Sequence, residues 1–286
     1  MKEAIVYPDI SVEIQDVPVP TPGPSEVLIK VVFSGVNPKD WKRPTILNTA
    51  FNSGDDIAGY IATTGRGVTE FHAGDRVAAM HGATIPLAAL TAAMALGHEL
   101  RLPLPWSPSG KNGHTPLVIY GASTSVGCFA IKLARAASIG PIIAVAGKSR
   151  TMVQALLNLE AGDRILDYNQ RPAKLVEEIR QSILEANQGP CWHGIDCASY
   201  SWGREFVSPL AEALGMQNEV QGTGRLPKLV TIDPGATGYP MVHLLKVVVA
   251  EAHNGTEEKK RGWVERTKQY TVKFKSGKYA WYEVCY

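Results

Sequence analysis

With 286 residues the chain can form one large domain or two modest ones, and its 45% hydrophobic and 20% charged content is that of an ordinary globular protein, which excludes dominant disorder. A balance of 29 basic against 27 acidic residues leaves a formal net charge of +2, which excludes a global electrostatic footprint for nucleic acid. Cys128, Cys191, Cys197 and Cys285 form no C-x-x-C pair, and no apolar run has the length of a signal core or a membrane span, so a reducing, cytosolic setting without a membrane partner is expected.

The first hundred residues read as β-rich. Ala4–Val6 and Val12–Ile14 suit short strands, and the prolines and glycine between Pro18 and Pro24 break the chain after them. Glu26–Phe33 alternates and is rich in β-branched residues, so a strand is predicted there. Ile57–Thr63 and Arg76–Ala79 follow as strands, separated by turns such as Gly65-Arg66-Gly67. Short strands with this punctuation point to a small barrel-like or sandwich unit. Ile85–Leu100, rich in alanine and leucine, is predicted helical, and Leu102–Pro116, dense in proline, is predicted as a loop between two differently built regions.

From Leu117 strand and helix alternate. Strands are predicted at LVIY (117–120), IIAV (142–145), ILDY (165–168), GIDCA (194–198), LVTI (229–232) and Leu244–Ala250. Helices are predicted at Val126–Ala137, Thr151–Leu159, Ala173–Glu185 and Ser201–Leu214. Helical crossovers between successive strands force a parallel sheet covered on both faces, so the class is α/β, a doubly wound parallel sheet beside a β-rich unit.

The strongest local motif is LVIYGASTSVG (117–127). An apolar strand runs into Gly121, then Ala122, Ser123, Thr124, Ser125 and Val126, with Gly127 at the start of a helix. Small side chains let backbone N–H groups approach a pyrophosphate, and the helix N-terminus adds partial positive charge. The motif is neither G-x-G-x-x-G nor a Walker loop, and a plain strand-to-helix turn is the competing reading; its place in the first unit of an alternating series favours phosphate binding. The second strand ends in Ala146-Gly147-Lys148-Ser149-Arg150, with two cations and no carboxylate. A plain ribose would call for an acid there, whereas Lys148, Ser149 and Arg150 suit a 2′-phosphate, so NADP(H) is the expected cofactor; a solvated basic loop is the competing reading. The histidines show no metal-ligand spacing, and no G-x-S-x-G elbow occurs.

PTPGPSEVLIKV (20–31), GVNPKDW (35–41), GDDIAGYI (54–61), GVTEFHAGDRVAAMHG (67–82), ATIPLAALTAA (83–93), LVIYGASTSVG and ILDY together resemble the medium-chain dehydrogenase/reductase superfamily, quinone-oxidoreductase branch. The similarity is greatest to fungal enoyl reductases that act in trans with polyketide synthases. The resemblance implies a GroES-like catalytic domain at residues 1–95, a Rossmann NADP(H)-binding domain at 96–255, and a C-terminal return to the catalytic domain at 256–286. It places Lys39, Asp40, Trp41 and Lys42 beside the cofactor and Thr91 near the nicotinamide. It places Ser123 and Thr124 at the pyrophosphate, Gly147, Lys148, Ser149 and Arg150 around the 2′-phosphate, and Tyr168 near the adenosine. Helix packing for Thr91 and a strand-end core role for Tyr168 are the competing readings. Zinc members of the superfamily carry a ligand cysteine where this chain has Asn37, so no catalytic metal is expected.

Without a metal to polarise a carbonyl, conjugate reduction is the favoured chemistry, because the charge that develops on the carbonyl oxygen can be stabilised by hydrogen-bond donors. The resemblance therefore implies an NADPH-dependent, zinc-independent reductase of the C=C bond in an α,β-unsaturated carbonyl or enoyl thioester, in secondary metabolism. The substrate would be a small molecule or carrier-bound, with a polyketide synthase as the implied partner, and the protein a monomer or homodimer. No residue is singled out as proton donor. Two departures stand against this. His81-Gly82 runs directly into Ala83-Thr84 where the family has intervening catalytic-domain chain, and the C-terminus stops after the helix end recognisable at Lys273–Lys278. A truncated NADP(H)-binding protein without turnover is the alternative reading.

Overall fold

The computed structural model describes residues 1–54, 56–79, 85–103, 105, 115–186, 191–199, 208–221, 226–233, 235–236, 241–247 and 283–285. The chain divides into two compact units, Met1–Leu87 with Val264–Tyr286, and Ala88–Trp263. Among the described residues no helix is long and apolar enough to cross a membrane.

The first unit holds strands β1 (Lys2–Val6), β2 (Val12–Asp16), β3 (Glu26–Gly35), β4 (Phe51–Asn52), β5 (Asp56–Thr64) and β6 (Arg76–Ala79), with helix α1 (Lys39–Leu47). Two sheets form, one in the order β2-β1-β4 and one in the order β13-β3-β5-β6, where β13 is Glu283–Cys285 and runs parallel to β3. The inward residues of β3 and β5, Val27, Ile29, Ile57 and Ile61, make a small core with Val68, Phe71 and Val77 against it. That alternation is the two-residue period of a strand with one covered face.

Helix α1 was not among the predicted elements. Pro38 precedes its first turn, and the Asp40 carboxylate turns back to accept the Asn37 amide at 2.7 Å, which is half of a capping box. Pro44 lies inside the helix and is its buried residue, a placement that hid the helix from propensity alone.

The second unit begins inside helix α2 (Ile85–Ala93), which passes into a π-helical stretch, Met94–Glu99. It then alternates β7 (Leu117–Tyr120), α3 (Ser125–Ala136), β8 (Ile142–Ala146), α4 (Arg150–Gln154), β9 (Arg164–Asp167), α5 (Pro172–Glu185), β10 (His193–Asp196), α6 (Pro209–Gln221), β11 (Lys228–Thr231) and β12 (His243–Lys246). The six strands lie in the order β12-β11-β10-β7-β8-β9 and all pair in parallel. This is the doubly wound order, with its reversal between β7 and β10. All five residues of β8 are buried, as a central parallel strand covered on both faces requires. Helix α5 buries Leu175, Val176, Ile179 and Ile183, a 3.6-residue stripe that meets Val118, Ile143, Val145, Leu210 and Leu214 in one core cluster.

Two helices differ from expectation. The segment predicted as one helix over Thr151–Leu159 is helical only to Gln154, and a single 3-10 turn, Leu159–Ala161, follows. Asn158 explains the break: its side chain accepts the Ala161 amide at 3.2 Å and its own amide goes to Asp163 at 2.8 Å, which draws the backbone out of the helical ladder. The helix predicted at Ser201–Leu214 is present from Pro209 and runs on past Leu214 to Gln221; residues 201–207 lie outside the described residues. Outside them also lie residues 80–84, with the Gly82–Ala83 join, and most of the loop predicted over Leu102–Pro116. The same holds for the end of the sixth predicted strand beyond Val247 and for the helix end at 273–278.

Candidate coenzyme site

The turn from β7 into α3 occupies the point where the strand order reverses, the place where open α/β sheets bind ligands. Gly121 has φ +75°, a conformation that L side chains rarely adopt, and a Cβ there would come within 2.6 Å of Ala198 Cβ on the loop after β10. Gly127 is required for a different reason. A Cβ on it would stand 2.4 Å from Gly121 O and 2.8 Å from Ala122 Cα, so the first turn of α3 lies directly on the backbone of the turn before it.

Thr124 is the N-cap of α3: its Oγ1 accepts the Gly127 amide at 3.0 Å. Its own amide donates to Gly121 O at 2.9 Å, closing the turn. Ala122 is fully buried and donates its amide to Val145 O on the neighbouring strand. Ser123, Thr124 and Val126 are half-buried, and Ser125 is exposed at the mouth of the helix. The amides that open a helix have no intrahelical acceptor, so this end of α3 offers N–H donors and a positive dipole end to an anion.

One strand along, β8 ends at Ala146, and Gly147 lies beneath the ring of Tyr168: a Cβ on Gly147 would be 2.5 Å from Tyr168 Cε1 and Cζ. Tyr168 sits just past the end of β9 and donates its amide to Ala146 O at 3.2 Å. Lys148, Ser149 and Arg150 are exposed beside it, and Arg150 Nη1 lies 3.7 Å from Asp167 Oδ2. Gly147, Lys148, Arg150 and Tyr168 are therefore brought together from positions up to 21 apart.

On the other side of the reversal, β10 ends at Asp196, a fully buried carboxylate that the sequence reading did not single out. Its Oδ1 accepts the amides of Ala198 at 3.0 Å and Ser199 at 2.8 Å, and its Oδ2 accepts the Ser208 hydroxyl. These bonds shape the loop that faces Gly121. Burial, and then the charge of Asp196, push the Tyr120 phenol up from its ordinary value. Cys197 donates its amide to Tyr120 O, and burial raises its thiol far above the usual range. The one available signal for Asp196 was an acid ending an otherwise apolar strand.

Lys39, Asp40, Trp41 and Lys42 lie on α1 in the first unit, whereas the other singled-out residues belong to the second. In the first unit Asn37 Nδ2 donates to Oδ2 of the fully buried Asp56 at 2.9 Å. Burial lowers the Lys39 ammonium, with Asp40 and Asp56 opposing that shift and Arg43 adding to it. Lys42 Nζ is 5.5 Å from the Trp41 ring centre. Thr91 is 7% exposed within α2. Among the described residues no three His, Cys, Asp or Glu side chains gather to hold a metal ion.

Residues 23–101 match the alcohol dehydrogenase GroES-like domain family. The chain is similar to trans-enoyl reductase fsr4 of Gibberella fujikuroi, 37% identical over 216 residues, which is 64% of each chain. It is also similar to trans-enoyl reductase himH of Aspergillus japonicus, 31% identical over 60% of this chain and 58% of that one. A third relative, quinone-oxidoreductase QR1 of Triphysaria versicolor, is 29% identical over 54% and 55%. The aligned region thus spans under two thirds of the length of these relatives. Among solved structures, the CurK enoyl reductase superposes with a TM-score of 0.67 at 18% identity, over 94% of this chain and 87% of that one. The mycobacterial protein Rv1454c complexed with NADPH superposes with a TM-score of 0.64 at 16% identity, over 94% and 89%. At such identities these two establish the shared fold.

Proposed function

We infer that this chain, which belongs to the medium-chain dehydrogenase/reductase superfamily in its quinone-oxidoreductase and enoyl-reductase branch, uses NADP(H) to reduce the C=C bond of an α,β-unsaturated carbonyl or enoyl thioester. The observation that carries the coenzyme reading is the end of β8. Lys148 and Arg150 stand there with no carboxylate of their own strand, beside a Tyr168 ring that needs glycine at 147. The enoyl reading draws on the trans-enoyl reductases among the relatives.

The residues fit the coenzyme. Neither Gly121 nor Gly127 has room for a side chain, and a diphosphate at this turn would meet backbone amides at the start of α3. Lys148, Ser149 and Arg150 would grip the 2′-phosphate, and Tyr168 would cover the adenosine. When bound, the reduced nicotinamide supplies hydride to the acceptor. Asp196 holds the Ala198–Ser199 backbone against the cradle, and Thr124 holds the first turn of α3. The zinc-independent reading rests on Asn37: a carboxamide replaces the ligand thiolate, and its nitrogen is engaged by Asp56.

Calorimetric titration with NADPH and NADH, followed by nicotinamide absorbance with small enones and a crotonyl thioester, tests the reading. Tighter binding of NADPH and loss of absorbance with an acceptor are expected. Affinity for neither coenzyme overturns the proposal; NADPH binding without turnover on any acceptor favours a nucleotide-binding protein without catalysis.

A further inference from the structure

We propose that Asp167 sets how strongly the coenzyme site prefers a 2′-phosphate, by standing as a fixed negative charge beside Arg150. The inference rests on the reading that Lys148, Ser149 and Arg150 receive that phosphate. In NAD-binding sheets the ribose acid ends the second strand; here that strand ends without one. Strand β9 supplies a carboxylate instead, because the β8–β9 register sets Asp167 directly beside Ala146.

Asp167 is held in place by its own turn. Its Oδ1 accepts from the Asn169 amide at 2.9 Å and from Asn169 Nδ2 at 3.0 Å. The contact with Arg150 is looser. At 3.7 Å it exceeds hydrogen-bond length, and the two side chains are 47% and 40% exposed, so it does little to anchor either group. The carboxylate therefore remains when the guanidinium moves to a ligand. Any phosphate that Arg150 grips comes to lie within a few ångströms of it, and like charges at that range repel. A plain ribose carries no charge and meets no such repulsion. The sheet thus presents two cations that attract the phosphate and one fixed anion that tempers the attraction.

The test is calorimetric titration of the full chain and of Asp167→Asn with NADPH and NADH at low ionic strength. Asparagine keeps an acceptor for the Asn169 amide and removes the charge. NADPH affinity is expected to rise roughly three- to tenfold, with NADH affinity unchanged, and the gain to shrink in high salt. Asp167→Ser, whose hydroxyl can also accept from Asn169, should move affinity the same way, so the result does not depend on one variant folding. A selective wild-type protein whose two variants bind NADPH no more tightly overturns this proposal alone. A wild-type protein that binds both coenzymes equally, or neither, overturns the coenzyme reading and this proposal with it.

Discussion

The ring of Tyr168 lies where a Cβ on Gly147 would have to go, 2.5 Å from its Cε1. Gly147→Ala must therefore push the ring aside. Tyr168 is 45% exposed and can swing into solvent, so the fold survives and the loss falls on the coenzyme. NADPH affinity is expected to weaken by about tenfold while the melting temperature moves by less than about 2 °C. Calorimetry paired with thermal melting checks both numbers; unchanged affinity would remove Tyr168 from the site.

Thr124 caps α3 through a 3.0 Å bond from the Gly127 amide. Thr124→Ala should cost about 1 kcal/mol of stability and Thr124→Ser far less, because serine retains the capping oxygen. Urea midpoints of the two variants measure the difference.

Asp196 satisfies two loop amides and the hydroxyl of Ser208, which is 1% exposed. Asp196→Ala leaves these donors without their acceptor at a cost on the order of 3 kcal/mol. Asp196→Asn keeps a carbonyl oxygen for the amides and should recover most of that loss. If alanine and asparagine destabilise equally, charge rather than hydrogen bonding is what the site requires.

The Cys191 thiol is pushed by burial from an ordinary value of 9.0 to about 12. Between those values the unfolded chain has lost a proton that the folded chain keeps, so the unfolded state binds fewer protons and stability falls as pH rises. The contribution is complete below about pH 9 and disappears as pH passes through the folded value. Cys191→Ala should flatten the fall by up to about 1.4 kcal/mol per pH unit. Denaturation curves at pH 8, 9 and 10 (conditions of the assay) would show it; an unchanged slope would locate the titrating group elsewhere.

The parallel sheet was legible residue by residue. LVIY and IIAV are buried on both faces, so they read as continuous apolar runs without any knowledge of their neighbours. The strand-to-helix turn was legible for a similar reason: the positive φ of Gly121 and the close approach of Gly127 to Gly121 and Ala122 are set within seven residues of chain, whereas Ala198, which also excludes a side chain at Gly121, comes from the distant loop after β10. The stripe of α5 was visible because helical periodicity is local. The first turn of α1 was obscured because its stabilising contact, Asp40 to the Asn37 amide, lies in a segment that two prolines mark as irregular.

The amino-acid order alone specified the alternation of elements, the glycine cradle and the absence of an acid at the end of β8, since each follows from propensity, periodicity or backbone geometry over a few residues. Folding in three dimensions was needed to assign the partners of the buried and fixed carboxylates. Asp56 meets Asn37 across 19 positions, Asp163 meets Arg135 across 28, and Asp167 reaches Arg150 only because β9 pairs with β8. Such pairs are chosen by strand order and register, and a charge in the sequence carries no mark of the neighbour that a distant strand will bring to it.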